Sequence, residues 1–259
     1  MPRSRWSRAL LIVSLLAASL YAGAANASAD AATGSVGSGS SGFDISYPQC
    51  GGVYPTGAFG IVGVNGGYPF KHYNPCLKDE YAHATHAALY LNTGYDPAYT
   101  AVDDTHTTPA CQALSATIEG TRGGDVPAER QAWAVGCSEA ARSVDYASSQ
   151  GITNLSAWWL DVETANSWSD NQVLNQFAIQ GVIDMLETDV TVSVGIYSTA
   201  YQWHQIVGTL PVYGVAAEWV ATGDAAGTRV ARVCGAPGFT GAPVTLVQYT
   251  SDFDHDVTC

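Results

Sequence analysis

The sequence predicts an α/β protein of the TIM-like β/α-barrel class, built as a single domain. Three observations support this class: short apolar runs recur along the chain, helical patterns lie between several of them, and the composition is even from Gly42 to Cys259. Alternating strands and helices imply βα units with right-handed crossovers. A stretch of about 218 residues without an internal linker is also a common size for one such barrel.

The strand candidates are runs in which apolar and β-branched residues fill nearly every position. Such runs are typical of strands that are buried on both faces and pair in parallel beneath a layer of helices. The predicted strands are residues 42–47, 59–64, 87–93, 155–163, 191–199, 213–221 and 243–250.

Two long helical patterns lie between these strands. Residues 127–151 begin with a proline in the first turn and end at a glycine, whereas residues 169–187 begin with Ser169 as a cap, followed by an aspartate. Residues 74–87 and 199–208 carry weaker helical patterns. Each of these segments follows a predicted strand or joins two of them, as a β/α barrel requires.

The alternation of strands and helices is also compatible with an open, doubly wound sheet. Neither a GxGxxG nor a GxxxxGK[ST] phosphate-binding loop follows the first predicted strand, so we expect a closed barrel instead. Residues 94–126 are rich in Gly, Thr, Asp and Pro and contain Cys111. We expect them to form a long, disulfide-tethered loop that shapes the mouth of a site.

The first 29 residues have the pattern of an export signal. Three arginines precede an apolar run, and the small residues Ala27–Ala29 follow it. Residues 30–41 contain mostly Gly, Ser and Ala and are expected to form a flexible leader. No later segment reaches ~18 uninterrupted apolar residues. We therefore expect a protein that is secreted, extracellular or cell-wall associated, with no membrane contact after signal cleavage.

The six cysteines agree with export, because disulfides persist in oxidising compartments. Sequence alone allows 15 pairings of six cysteines. We expect the three successive pairs, each of which closes a short loop. The residues are Cys50, Cys76, Cys111, Cys137, Cys234 and Cys259.

The charge of the chain argues against nucleic acid as a partner. Three of the 10 basic residues precede residue 30 and all 23 acidic residues follow residue 29, which leaves seven against 23 and a formal charge of −16. A phosphate backbone would be repelled by this excess of acid. The same excess commonly keeps an exported protein soluble.

Metal and cofactor chemistry is not expected. His83 and His86 form the only close histidine pair, with no nearby third ligand, and no CxxC pair is present. The acids from Asp252 to Asp256 resemble the start of a calcium loop but lack its glycine and distal glutamate. The segment around Ser198 does not fit the nucleophile elbow of serine hydrolases.

The stretch "WWLDVE" places two carboxylates at the end of a predicted strand. Side chains alternate faces along a strand, so Trp159, Asp161 and Glu163 share one face, and the two carboxylates are roughly 6–7 Å apart. In a barrel, active sites form at the carboxyl ends of the strands. Two neighbouring carboxyl groups with different protonation states suit glycoside hydrolysis.

Further acidic and aromatic residues lie on other predicted strands. Asp44 is set among apolar residues on the first strand, and Asp254 and Asp256 follow the last one. Aromatic rings at strand ends suit the C–H faces of sugars, although ordinary core packing explains single rings about as well. The aromatic candidates are Trp159, Tyr197, Trp219 and Tyr249.

In this order, the motifs "FDIS", "LDVE", "GIYST", "EWVA" and "QYTS…FDHD" resemble the family 25 glycoside hydrolases, which are lysozyme-type muramidases that cleave peptidoglycan. The sequence is also similar to related secreted actinobacterial glycoside-hydrolase-like proteins. The resemblance covers residues 42–259 and implies a barrel in which some later helices are missing.

The resemblance also implies roles for individual residues. Glu163 would be the general acid, and Asp161 would position the substrate acetamido group or stabilise the transition state. Asp44 matches the first-strand aspartate of the family, and Asp254, with Asp256 as the rival, matches the late one. The residues expected to contact substrate are Tyr197, Trp219, Gln248, Tyr249, Trp159 and Asn65.

We therefore expect a secreted, monomeric glycoside hydrolase that acts on peptidoglycan or a related amino-sugar polysaccharide by carboxylate acid/base catalysis. The alternative is a non-catalytic glycan-binding or cell-wall-associated barrel. That alternative rests on departures from the family motifs, since "SYPQCGG" replaces the usual Gln-Gly and "EWVATG" lacks the usual tyrosine.

Overall fold

A computed structural model of the chain describes residues 36–66, 72–96, 106–189, 192–223 and 228–259. The predicted signal peptide and the first part of the predicted leader, residues 30–35, lie outside these ranges. Within them, none of the helices combines the length and the hydropathy that a membrane span requires.

Eight strands form a closed barrel in which each strand pairs with its neighbours in chain order. The strands are β1 (Ser41–Ile45), β2 (Gly60–Gly63), β3 (Ala88–Asn92), β4 (Ala157–Asp161), β5 (Ser193–Ser198), β6 (Ala217–Ala221), β7 (Val244–Thr250) and β8 (Asp254–Thr258). The pairs from β1 to β7 are parallel. The last strand, β8, runs antiparallel to both β7 and β1. This architecture confirms the predicted TIM-like barrel, and the antiparallel eighth strand is an addition to the prediction.

Helices of unequal length surround the described part of the barrel. They are α1 (Leu77–His83), α2 (Pro109–Ser115), α3 (Val126–Ser149), α4 (Gln172–Asp189), α5 (Ala200–Ile206) and α6 (Thr228–Cys234), with a 3₁₀ turn at Tyr47–Gln49. The later helices α5 and α6 have seven residues each, and a short turn joins β7 directly to β8. The predicted incompleteness of the later helical layer is thereby confirmed.

The start of α4 differs from the prediction. The helix begins at Gln172 rather than at Ser169. The Asn175 side chain accepts a hydrogen bond from the Ser169 backbone nitrogen (2.9 Å) and donates one to the Ser169 carbonyl (2.8 Å). Ser169 therefore belongs to the loop after β4, because its backbone bonds to a side chain of the helix rather than to the helical ladder.

The core has two layers that follow the alternation along each strand. Trp158, Leu160 and Val162 lie in the layer between the strands and the helices. Trp159 lies in the other layer, inside the barrel, together with Trp219. The predicted division of the β4 side chains between two faces is confirmed.

Three disulfides join the cysteines in the expected successive pairs. Cys50–Cys76 ties the loop after β1 to the start of α1. Cys111–Cys137 ties α2 to α3, and Cys234–Cys259 ties the end of α6 to the residue after β8. The predicted long loop 94–126 thus contains a helix, α2, in which the Thr108 side chain accepts a hydrogen bond from the backbone nitrogen of Cys111 (3.2 Å). Residues 97–105 of that loop lie outside the described residues.

The end of the predicted leader is part of the fold. The backbone nitrogen of Gly39 donates to the carbonyl of Thr258 (2.9 Å). The Thr258 hydroxyl donates to the carbonyl of Gly37 (2.7 Å). These contacts align the residues before β1 with β8, so the barrel takes in a few residues before Gly42.

Candidate active site

A cavity of about 340 Å³ opens at the carboxyl ends of the barrel strands. Four of the predicted acids line it: Asp44 from β1, Asp161 at the end of β4, Glu163 just beyond, and Asp254 at the start of β8. The other lining residues are Tyr90, Asn92, Tyr197, Trp219, Gln248 and Thr250. The structure therefore brings together side chains that are up to 210 positions apart in the chain. None of the described residues of segment 94–126 is among them.

Asp161, at the end of β4, is more buried than Glu163. Its side chain is 7% exposed, and its Oδ1 atom has no hydrogen-bond partner in the described part of the chain. Burial raises the pKa of Asp161 well above its usual range, and the charges of Glu163 and Asp44 raise it further. The raised pKa favours the protonated form of Asp161, which carries a hydroxyl donor.

Glu163 is half-buried and is held by two neighbouring segments. The Gln202 side chain of α5 donates to Glu163 Oε1 (3.3 Å) and accepts from the backbone nitrogen of Thr164 (2.7 Å). The Trp168 indole nitrogen donates to the Glu163 carbonyl (2.7 Å). These contacts orient a side chain that lines the cavity.

A chain of hydrogen bonds crosses the opposite side of the cavity. The Tyr197 hydroxyl donates to Gln248 Oε1 (2.7 Å), and Gln248 Nε2 donates to Asp44 Oδ2 (2.7 Å). Burial raises the pKa of Asp44 to about 8, and the charge of Asp254 contributes to the rise, whereas the Gln248 hydrogen bond opposes it. Asp44 is thus a second carboxyl group that is mainly protonated at neutral pH.

The two late acids occupy different depths. Asp254 is half-buried, lines the cavity and accepts a hydrogen bond from the Thr250 hydroxyl (2.7 Å). Asp256 is fully buried, is absent from the cavity lining and accepts a hydrogen bond from the Trp219 indole nitrogen (2.8 Å). Burial and then the charge of Asp44 raise the pKa of Asp256 well above its usual range. Of the two, only Asp254 is placed to touch a ligand in the cavity.

The predicted substrate-contacting residues divide into two groups. Tyr197, Trp219 and Gln248 line the cavity, but Trp159, Tyr249 and Asn65 do not. Trp159 is fully buried inside the barrel, with its ring centroid 5.8 Å from that of Trp219. Tyr249 stacks on His255 at 5.0 Å.

Asn65, the third residue outside the cavity, is 1% exposed and bonds to Asn92 and Glu139. Three lining residues, Tyr90, Asn92 and Thr250, were not among the predicted ones. The period-two alternation along β3 and β7 is the sequence signal that points to them, since it puts each on the inner face near a strand end.

A second, larger cavity of about 930 Å³ lies beside the acid cavity. It begins at Thr164 and Asn166, next to Glu163, and continues along the start of α4 and the residues after α5. Many of its wall amides bond internally, as when Gln172 Nε2 donates to the carbonyls of His204 and Gln205 (3.0 and 3.1 Å). Only one charged residue, Asp170, lines it. The carboxyl groups that catalysis needs are thus concentrated in the smaller cavity.

The described residues do not form a metal site. Across these ranges, no group of three or more His, Cys, Asp or Glu side chains has the arrangement of a metal site. Among the cavity acids, Asp44 and Glu163 accept hydrogen bonds from glutamine amides, and Asp254 accepts one from a hydroxyl group.

Several solved structures are similar to the chain at low sequence identity. The muramidase from Trichobolus zukalii has 16% identity, a TM-score of 0.48 and coverage of 85% of this chain and 93% of that chain. The lysozyme from Streptomyces coelicolor has 16% identity, a TM-score of 0.45 and coverage of 86% and 93%. The family GH25 lysozyme from Aspergillus fumigatus has 12% identity, a TM-score of 0.49 and coverage of 85% and 93%. No curated protein sequence matches the chain significantly.

The model of the family described as Lysozyme-like protein 1 (Lys-1) matches residues 76–228, which is more than half of the chain. The matched part includes Asp161, Glu163, Tyr197 and Trp219. This match confirms the lysozyme-type resemblance expected from the sequence motifs. The chain belongs to the Lysozyme-like protein 1 family and is a lysozyme-like glycosidase.

Proposed function

We propose that the protein is an exported glycosidase that cleaves peptidoglycan or a related amino-sugar polysaccharide by carboxylate acid/base catalysis. The observation that carries the proposal is the convergence of Asp44, Asp161, Glu163 and Asp254 on one open cavity at the carboxyl end of the barrel. Glycosidic bond cleavage needs one carboxyl group that donates a proton and negative charge that stabilises an oxocarbenium-like transition state.

Glu163 is the proposed general acid. It is less buried than Asp161, faces the cavity, and is oriented by Gln202 and by the Trp168 contact to its backbone. A glycosidic oxygen seated in the cavity would take the proton from Glu163. Asp254, on the other wall, is the proposed source of negative charge at the sugar carbon.

Asp161 and Asp44 are proposed to position the sugar. Their raised pKa values favour the protonated forms, in which each offers a hydroxyl donor in addition to an acceptor oxygen. Asp161 would donate to the carbonyl oxygen of a 2-acetamido group. Tyr197 and Trp219 form the floor on which the sugar rests, and Gln248 holds Asp44 in place.

Export and partners form a separate part of the proposal. We propose that residues 1–29 are removed as a signal peptide, that residues 30–41 are a leader, and that residues 42–259 act as a monomeric barrel outside the cell. The three disulfides support this assignment, since such bonds persist in oxidising compartments. The proposed partner is a polysaccharide, and neither a nucleic acid nor a membrane takes part.

The test is the release of new reducing ends from purified peptidoglycan and from chitin-type polymers by the disulfide-intact protein. Glu163→Gln keeps the size of the side chain but removes its proton, and we expect it to lower the rate by at least about a hundredfold. Glu119→Gln, at an exposed position outside the cavity, is the matched control and should retain the full rate.

Each outcome is informative. Release by the native protein that disappears only in Glu163→Gln would support the proposal. Release from chitin-type polymers alone would show that the substrate is an amino-sugar polymer other than peptidoglycan. Equal rates for the native protein and Glu163→Gln would remove Glu163 from the role of acid, and no release from any polymer would refute the proposed activity.

A further inference from the structure

A third cavity, of about 650 Å³, lies along helix α5 and is here called the α5 groove. The helix contributes Ala200, Trp203 and His204, which share one helix face because they are three and four positions apart. Trp203 packs against Phe239 with ring centroids 5.4 Å apart, and Phe239 also lines the groove. Residues 208–213, between α5 and β6, form a further part of the wall. The groove therefore combines an aromatic pair with an irregular segment of backbone.

Glutamine side chains of α4 hold that irregular segment in place. The backbone nitrogen of Tyr213 donates to Gln180 Oε1 (2.9 Å), and the Tyr213 carbonyl accepts from Gln180 Nε2 (3.2 Å). Gln176 Nε2 donates to the carbonyl of Pro211 (3.0 Å). Neither glutamine lines the groove. The backbone of this wall is thus fixed from behind, and the side chain of Tyr213 takes no part in fixing it.

A buried carboxyl group holds the part of the wall that precedes β7. Glu218 is fully buried, and its two oxygens accept hydrogen bonds from the backbone nitrogens of Phe239 (2.7 Å) and Thr240 (2.5 Å). Both walls are therefore ordered before any ligand binds. A site that is already ordered loses less conformational entropy on binding than a loose surface does.

The lining of the α5 groove differs in charge from that of the acid cavity. Among the described residues that line it, none is Asp, Glu, Lys or Arg, although the chain has 23 acidic and 10 basic residues. The ring of Tyr213 is 68% exposed, and His204 and Thr209 add exposed polar groups. Aromatic faces beside a few hydrogen-bonding groups suit a neutral sugar, whose C–H face packs on a ring while its hydroxyl groups bond at the edges.

The α5 groove is continuous with the cavities at the carboxyl end of the barrel. It shares Thr209 and Leu210 with the second cavity, which begins at Thr164 beside Glu163. Helix α5 also carries Gln202, the donor to Glu163. A long polymer in the acid cavity can therefore follow the surface to the groove, and this continuity favours a glycan over an unrelated partner.

We infer that the α5 groove is a second binding site, separate from the acid cavity, for a neutral glycan strand, with Tyr213 as its main contact. The inference rests on the proposed function, because that function supplies the class of polymer. The groove would hold an insoluble polymer while the acid cavity acts on a bond elsewhere in the same strand.

The experiment measures binding isotherms on insoluble chitin, a neutral glycan without stem peptides. The disulfide-intact Glu163→Gln protein is the parent, so that no turnover occurs. We expect Tyr213→Ala to weaken the affinity by about threefold to tenfold, the effect of one aromatic contact, and Tyr213→Phe to retain it. Tyr201→Ala is the matched control, because this ring is 71% exposed but lines none of the three cavities. The backbone bonds of Tyr213 remain in both variants, and urea midpoints check the fold.

An affinity for chitin that survives Tyr213→Ala, or an equal loss in Tyr201→Ala, would overturn the inference. Weaker binding of Tyr213→Ala to peptidoglycan but not to chitin would also overturn it, because the occupant would then be a peptide. Without the Glu163 substitution, Tyr213→Ala should keep the native rate on soluble chitotetraose and lose rate on insoluble chitin. A loss of chitin binding in Tyr213→Ala, with no cleavage by the native protein, would overturn the proposed activity and leave the second site supported.

Discussion

The raised pKa of Asp44 predicts that stability depends on pH in an unusual direction. An ordinary aspartate loses its proton near pH 3.8, whereas folded Asp44 keeps its proton up to about pH 8. Between these values, unfolding releases a proton. The contribution of Asp44 to stability is therefore fully present below about pH 4 and is lost as the pH rises towards 8.

The magnitude follows from the width of this window. One released proton lowers the free energy of unfolding by about 1.4 kcal/mol per pH unit. From pH 4 to pH 7, the contribution of Asp44 therefore falls by about 4 kcal/mol. This value is an upper limit, because neighbouring Asp161 and Asp256 compete for protons in the same cluster.

Asp44→Asn tests this reasoning, since asparagine has the shape of a protonated aspartate and keeps an acceptor oxygen for Gln248. We expect the variant to match the native protein near pH 4 and to exceed its stability at pH 7 by up to about 4 kcal/mol. Urea unfolding of both proteins from pH 4 to pH 8, with disulfides intact, measures the difference. Asp145→Asn, at an exposed position on α3, is the control.

Two results would refute this account. A stability difference between Asp44→Asn and the native protein that does not change with pH would mean that Asp44 titrates as an ordinary aspartate. A difference that shrinks as the pH rises would mean that Asp44 is held as an anion. The expected gain in stability should accompany a loss of hydrolysis, because the acids of the cavity serve the proposed chemistry at the expense of stability.

Two further predictions concern packing and orientation. Gly136 lies where α3 meets α4, and an added Cβ would be 1.9 Å from the carbonyl oxygen of Ala178. Gly136→Ala should lower the free energy of unfolding by about 2–3 kcal/mol in urea titrations, whereas Gly37→Ala, with open space around it, should not. Gln202→Ala removes the donor to Glu163 and the acceptor for the Thr164 backbone nitrogen, and it should reduce the rate of reducing-end release by about tenfold. An unchanged rate would show that Gln202 does not orient the acid.

The central strand of the site was predictable because its signal is local. The alternation in "WWLDVE" places Trp159, Asp161 and Glu163 on one face, and the structure has this division. The depth of each side chain along that face depends on the other strands. Trp159 is therefore part of the barrel interior rather than a sugar contact, and no local pattern distinguishes the two positions.

The sequence did not predict the eighth strand, for a different reason. The segment from Asp254 to Thr258 alternates acids with other residues, a pattern that reads as an exposed loop. In the barrel, Asp256 is fully buried and bonds to the Trp219 indole, which lies 37 positions earlier in the chain. A buried carboxyl group is tolerated there because burial raises its pKa and so favours its uncharged form. The burial of Asp256 and its bond to Trp219 depend on residues distant in sequence, so the residues of the segment itself do not predict them.

The helix α2 and the start of α4 show that capping signals must be weighed against competing contacts. "TTPAC" carries a threonine cap followed by proline, a helix start that was readable within the predicted loop. Ser169 also looked like a cap, but the side chain of Asn175 holds its backbone outside the helix. Asn65 was expected to touch substrate, yet its four hydrogen bonds are all made within the protein.

The antiparallel pairing of β8 with β1 has a consequence for the order of folding. This seam joins residues more than 200 positions apart, as the 218-residue separation of Ser40 and Thr258 shows. Contacts of such long range are entropically the most costly to form and tend to form late. Asp44 lies on one side of the seam, and Gln248 and Asp254 lie on the other. The acid cavity therefore exists only once the ring of strands has closed, so hydrolytic activity reports the completion of folding.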